Sequence, residues 1–239
     1  MRDAGRIAAQ ALQRVGERVK PGITTWELDQ VAATFIRSCG AQPTFLGYND
    51  FPANACISVN DEVIHGIPSK KRVLRAGDIV SVDLGATYRG YVGDTAYTFS
   101  VGTVAPQAKR LCEVTWEALQ AGIAKAQPGG KLGDISNAIQ KLCEAAGYSV
   151  VRDYTGHGVG RVMHEDPNVP NFGVKGKGLK LRAGMTVAIE PMVNAGRSQV
   201  KVMPDKWTVK TRDGSLSAHM EHTVAITNQG PVILTDCEG

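Results

Sequence analysis

Leu74-Arg75-Ala76-Gly77-Asp78-Ile79-Val80-Ser81-Val82-Asp83 and Leu181-Arg182-Ala183-Gly184-Met185-Thr186-Val187-Ala188-Ile189-Glu190 follow one pattern. Each opens on Leu-Arg-Ala-Gly, runs through apolar residues and ends on a carboxylate, and the second lies 107 residues after the first. The same offset carries Pro21-Gly22 onto Pro128-Gly129, Leu28 onto Ile135, Phe35 onto Leu142 and Gly40 onto Gly147. This is the signature of a duplication, each half being a helix, then strands, then an acid at a strand end. It predicts one domain over residues 1–239, built of halves at about 1–105 and 106–239. Halves packed about a pseudo-twofold axis would bring Asp83 and Glu190 together. Buried acids side by side repel unless a proton or a metal intervenes, so the expectation is a metal site at the join.

Outward from these stretches, Ile7, Ala8, Ala11, Val15 and Val19 recur at helical spacing until Pro21-Gly22. Thr24-x-x-Glu27 is a capping box for a second helix, with Val31, Phe35 and Ile36 as its buried face and Gly40 just past its end. Residues 41–75 read as irregular except for a strand in Asn54-Ala-Cys-Ile-Ser-Val59. Ile79 to Leu84 reads as a buried strand, Gly85 to Gly93 as a turn-rich link and Tyr97 to Val101 as a return strand. Pro106 suits the first turn of a helix to about Ala126, with Leu111, Val114, Ala118 and Ala121 on one face. Asp134 is expected to cap the next helix, which ends near Gly147. Beyond it lie strands at Thr186–Glu190, Met220–Thr227 and Val232–Leu234. Strands in hairpins with helices grouped beside them make an α+β fold rather than alternating βαβ units.

Composition excludes several classes. Apolar residues at 43% and charged residues at 21% are an ordinary globular balance. A net charge of +4 without a basic block gives no footprint for specific nucleic-acid binding. The densest cluster, Lys175, Lys177, Lys180 and Arg182, reads as a solvated loop, with transient contact to the ribosome or RNA as the alternative. Five cysteines without a C-x-x-C pair argue against a disulfide framework. No apolar run reaches the ~18–20 residues of a membrane span, and Met1 to Gln10 is no signal peptide. A cytoplasmic protein is the expectation.

Five residues carry the chemistry. Asp83 and Asp94 fit the two arms of one hairpin, His157 sits in Thr155-Gly-His-Gly-Val-Gly160, Glu190 ends the second repeat, and Glu221 lies in His219-Met-Glu-His222. Taken singly, each has an ordinary reading: a turn-capping Asp, a hydrogen-bonded loop His, a solvent-facing Glu. Together, four carboxylates and one imidazole are an oxygen-rich set, poor in sulfur. It suits two divalent ions of the Mn, Fe(II), Co or Zn kind in a hydrolase better than a structural zinc site.

Gly156-His157-Gly158-Val159-Gly160-x-x-x-His164-Glu165, Ala188-Ile189-Glu190-Pro191 and Glu221-His222-Thr223 closely resemble, in order and spacing, the motifs of the type I methionine aminopeptidases. Asp83-x10-Asp94 and the preceding Asn60-x4-His65-Gly66-Ile67-Pro68 match as well, so the resemblance spans the chain. It implies the pseudo-twofold "pita-bread" (creatinase/aminopeptidase-like) fold with a dinuclear metal site at its centre, and removal of the initiator methionine from nascent polypeptides. It implies Asp83, Asp94, His157, Glu190 and Glu221 as metal ligands, and His65 and His164 as substrate-facing, non-ligand histidines. Glu190 would also move the proton. It implies a methionine pocket from Tyr48, Phe51, Cys56, Met163 and Trp207, for which ordinary packing is the alternative reading, and a monovalent cation near Asn60 and Ser217 bound by backbone oxygens. One chain holds the whole site, so a monomer suffices. Relatives usually carry about ten more residues before Met1, and Ile64 stands where many bacterial relatives have cysteine, which removes a thiol from the rim. Two rivals remain at this level: a proline-specific peptidase of the same fold, which usually carries a large extra N-terminal domain, and a binding protein that has lost its metals.

Overall fold

The computed structural model of the chain describes residues 1–237. The first half holds helices α1 (Arg2–Gly16) and α2 (Thr25–Ser38), then strands β1 (Gln42–Pro43), β2 (Cys56–Val59), β3 (Glu62–Ile64), β4 (Ile79–Tyr88) and β5 (Tyr91–Ser100). The second half opens with α3 (Pro106–Lys125) and α4 (Leu132–Ala145). Strands β6 (Ser149–Val150), β7 (Thr155–Gly158), β8 (Glu165–Pro170), β9 (Thr186–Ile189) and β10 (Met192–Asn194) follow. The chain closes with β11 (Val200–Val202), β12 (Val209–Thr211), β13 (Ser217–His219), β14 (Glu221–Thr227) and β15 (Gly230–Ile233).

Nine of these strands form one antiparallel sheet in the order β1-β4-β5-β14-β9-β7-β8, with β2 added to β4 and β15 to β14. Strands β5 and β14 meet at the seam between the halves. Two three-stranded sheets, β13-β10-β6 and β11-β12-β3, flank it. Strand alternation sets the layers. Val80, Val82, Leu84 and Ala86 of β4 point to a core shared with Ala8, Leu12, Leu28 and Ile36 of α1 and α2. Val187 and Ile189 of β9 point to a second core shared with Leu111, Leu119, Ile135 and Ile139 of α3 and α4. Among the described residues, no helix is long and apolar enough to cross a membrane.

The 107-residue offset recurs in the backbone. Near the start of α2, Gly22 N–H donates to Leu74 O and Leu74 N–H to Ile23 O, as near the start of α4 Gly129 N–H donates to Leu181 O and Leu181 N–H to Gly130 O. Ala41 N–H donates to Ile36 O as Tyr148 N–H does to Cys143 O. Positive φ falls at matched glycines: +70° and +84° at Gly40 and Gly147, and +96° at both Gly77 and Gly184.

Most local expectations hold, including the capping box, in which Glu27 N–H donates to Thr24 Oγ1 and Thr24 N–H to Glu27 Oε2. Two are corrected. Gly85 to Gly93 is not a link: β4 and β5 pair continuously, and the turn is only Arg89-Gly90, both at positive φ. Gly93 serves helix packing, since a Cβ on it would clash with Gly5 N of α1. Asp134 does cap α4, but from its first turn rather than from the position before it, its carboxylate accepting Lys131 N–H at 2.9 Å.

Candidate active site

Strand register gathers the five ligand candidates. Asp83 lies opposite Ala96, and Ala96 opposite Glu221. Asp94 is two residues from Ala96 on β5. Thr223, two residues beyond Glu221, lies opposite Ala188, and Ala188 opposite His157, with Glu190 two residues past Ala188. Residues directly opposite, or two apart on one strand, share a sheet face. Asp83, Asp94, Glu221 and His157, from four strands of the sheet, and Glu190, just past the end of β9 between them, therefore project onto the face away from the helices. A register slip of one residue on any of these strands would send its ligand into the core.

Packing around His157 depends on the glycines beside it. A Cβ on Gly156 would sit 2.3 Å from Ala188 O, and one on Gly158 2.2 Å from Asp166 O. Only glycine lets β7 fit this closely between β9 and β8, which holds His157 over the acids.

The cluster is short of counter-charge. The donor atoms of Asp94, His157 and Glu221 lie within 4.8 Å of one another. His157 Nε2 is 3.5 Å from both Asp94 Oδ2 and Glu190 Oε1. Asp83 Oδ1, Asp94 Oδ1 and Glu221 Oε1 are buried with no hydrogen-bond partner among the described residues. Burial and then repulsion from Asp94 and Glu190 push the Asp83 carboxyl well above its usual range. Burial and then the charges of Asp94, Glu190 and Asp83 do the same to Glu221. Burial opposes the charged form of His157, but its bond to Asp94 and the charges of Glu190 and Asp94 outweigh it and lift the imidazole to about 9. Acids that hold on to their protons and an imidazole pulled toward its charged form are what a cation site looks like with protein atoms alone. The residues fit divalent metal: the orphaned oxygens are hard donors and the imidazole a borderline one.

Beside the acids opens a pocket of about 160 Å³. Its lining takes in all twelve candidate side chains: the five above together with Tyr48, Phe51, Cys56, His65, Met163, His164 and Trp207. Phe51 meets Trp207 edge-on at 5.1 Å between ring centroids, and His65 meets Trp207 at 6.2 Å. Cys56 lies opposite Asp83 in the β2–β4 pair, and burial followed by the nearby carboxylates pushes its thiol well up. The wall is thus aromatic and sulfur-bearing, and the floor acidic. Burial, and then the neighbouring His219 and His164 imidazoles, pull His65 down to about 4. Burial and then His157 lower His164, with Asp94 and Glu190 opposing. Tyr48 Oη lies 2.8 Å from His164 Nδ1.

Four residues of the site were not picked out from sequence. Phe45 and Asn49 line the pocket, and nothing local to either marks them. His219 is buried, with Nε2 3.4 Å from Glu190 Oε2. Its signal was present, since period two puts residues 219 and 221 on one face. Thr223 Oγ1 donates to Asp94 O at 2.8 Å and accepts Asp94 N–H at 3.0 Å, so a hydroxyl bridges the seam where the β5–β14 ladder ends. Asn60 and Ser217 come together, Ser217 N–H donating to Asn60 O at 2.9 Å. The basic cluster at Lys175–Arg182 lies on an exposed loop.

An antiparallel sheet that gathers four carboxylates and a histidine at its centre defines a metal-dependent hydrolase of the pita-bread kind. The chain belongs to metallopeptidase family M24, whose model matches residues 1–228. It is 54% identical over 238 residues to the methionine aminopeptidase of Clostridium acetobutylicum, covering 100% of this chain and 95% of that one. It superposes on the methionine aminopeptidase of Thermotoga maritima with a TM-score of 0.98 at 47% identity, over 99% of this chain and 95% of that one. The prolidase of Pyrococcus furiosus shares the fold at 24% identity and a TM-score of 0.77, and this chain spans only 62% of it.

Proposed function

We infer that the protein removes the N-terminal initiator methionine from nascent proteins and peptides whose second residue is small. The observation that carries this is the joining of the acid cluster to an aromatic, sulfur-bearing pocket in a chain alike end to end to bacterial methionine aminopeptidases. The chain acts as one catalytic domain of two duplicated halves, works as a monomer in the cytoplasm, and uses a monovalent cation beside Asn60 and Ser217.

Asp83, Asp94, His157, Glu190 and Glu221 would hold two divalent ions, with Mn, Fe, Co and Zn all suited to such donors. When bound, the ions supply Lewis acidity and a hydroxide nucleophile at neutral pH. The residues do the rest. Asp94, at the edge of the pocket floor, receives the substrate's free α-amine, which makes the enzyme an exopeptidase. The methionine side chain enters between Phe51, Cys56, Met163, Trp207 and Tyr48, where thioether contacts to rings and sulfur are favourable. Glu190 takes the proton released on attack at the first carbonyl and passes it to the leaving amine. His164 donates to the developing oxyanion, and His65, held neutral, contacts the peptide beyond the scissile bond. Room beside His65 admits only a small second side chain.

A peptide panel read by mass spectrometry tests the reading. Met-Gly, Met-Ala and Met-Ser peptides should lose methionine, while Met-Lys, Met-Phe and N-formylated peptides should not. Equal cleavage of Leu-, Lys- and Met-initiated peptides would refute it, and cleavage confined to X-Pro bonds would assign the chain to the proline peptidases instead.

A further inference from the structure

Tyr48 sits on an unusually constrained loop. Gly47, Asn49 and Asp50 all have positive φ, at +79°, +48° and +67°. Two of these are not glycine, and such residues persist in the left-handed region only when their surroundings hold them there. The loop is closed on itself: Gly47 N–H donates to Phe51 O, Tyr48 N–H to Phe45 O, and Phe51 N–H to Tyr48 O. The result is a rigid mount that presents the Tyr48 ring to His164, stacked at 5.3 Å and 28°. The His164 ring also meets that of His157, with centroids 4.2 Å apart. Among the described residues, one hydrogen bond reaches the His164 ring, between Nδ1 and Tyr48 Oη at 2.8 Å.

A neutral imidazole has one donor and one acceptor nitrogen, and the bond made by one decides what the other can do. A phenol is the better donor of this pair. We propose that Tyr48 is a positioning residue for the reaction: its hydroxyl donates to His164 Nδ1 and so holds the ring as the Nε2–H tautomer, with the donor facing substrate. This rests on the reading of His164 as the oxyanion donor and goes beyond it, since it gives Tyr48 a task separate from lining the methionine pocket. It also explains the strained loop. A pocket wall needs only an apolar surface, whereas a tautomer clamp needs an oxygen fixed within hydrogen-bond reach.

The variants Tyr48→Phe, Tyr48→Leu and His164→Ala separate these roles. Tyr48→Phe keeps the ring, so KM for a Met-Gly-Met peptide should be unchanged while kcat falls about ten-fold, the scale of one orienting hydrogen bond. Tyr48→Leu should raise KM as well. In a His164→Ala background, Tyr48→Phe should cost nothing further, because both changes act through one ring. Nitrogen-15 NMR of histidine-labelled, zinc-loaded protein should show His164 as the Nε2–H tautomer, and a mixture of tautomers in Tyr48→Phe. If His164→Ala itself left kcat intact, the reading of His164 would fail. If His164→Ala lowered kcat while Tyr48→Phe changed neither kcat nor the spectrum, the role of Tyr48 alone would be overturned.

Discussion

Asp83 and Glu221 each keep a buried oxygen with no hydrogen-bond partner among the described residues, and that decides what their substitution does. Each oxygen left bare belongs to a cation rather than to a hydrogen-bond network. Asp94→Asn and Glu221→Gln should therefore remove most turnover and lower the metal content of the purified protein to one ion or fewer, read by elemental analysis. His164 behaves differently, because its ring bonds Tyr48 and touches His157 without joining the acids. His164→Ala should keep both metals and lower kcat by roughly 10²–10³, the scale of losing one oxyanion donor. Loss of metal in that variant would make His164 a ligand and reverse the division of roles.

At the scale of elements, the vulnerable place is the seam between β5 and β14. The two strands pair through only Ala96–Glu221 and Thr95–His222, and each carries a ligand at or next to that pairing. Beyond it, threonine hydroxyls replace the ladder: Thr223 bridges Asp94, Thr95 donates to Glu221 O at 2.9 Å, and Thr98 bonds His219. Thr223→Val keeps the shape but leaves Asp94 N–H and C=O buried without partners. It should cost about 1–3 kcal/mol in chemical denaturation and weaken metal binding, because Asp94 would no longer be held in register. Thr223→Ser, which keeps the hydroxyl, should retain most of both. Equal stability of the valine variant and the parent would show that the seam is held by packing alone.

The whole molecule should respond to metal and pH together. In the metal-free protein Asp83 and Glu221 have raised values, so the folded state binds protons that the unfolded state releases near the ordinary 3.8 and 4.5. Folding stability then falls as pH rises past those ordinary values. His157, raised from 6.5 to about 9, contributes stability that is complete below 6.5 and lost as pH passes about 9. Below about 6.5 these effects are opposed by His65 and His222, both lowered to about 4, which gain stability as pH rises; above it they act alone, so the Tm of the metal-free protein should fall as pH rises from about 7 to about 9. Metal neutralises the acids and needs a neutral imidazole, so the loaded protein should melt higher and its advantage should widen with pH. Calorimetric scans of both forms across this range check it, and a metal-free Tm independent of pH would count against a cation-seeking cluster.

Much of this protein was already legible along the chain. The repeat ending on Asp83 and Glu190, the capping box at Thr24, and the helices after Pro21-Gly22 and Pro128-Gly129 are local or periodic signals, set by backbone geometry and apolar spacing. The acids and His157 could be named because hard metal chemistry demands their types, and the motif order and spacing tied them to one family. Tertiary structure alone decided the rest. Gly93 read as a turn signal because its purpose, the passage of α1 over β5, lies in contacts far apart in sequence. Phe45 and Asn49 joined the pocket, Thr223 took up the bonds of the seam, and Tyr48 came within reach of His164, 116 residues away. A sequence carries period and composition, but which side chains share a cavity depends on strand order and register, and those are fixed only when the two halves close on each other.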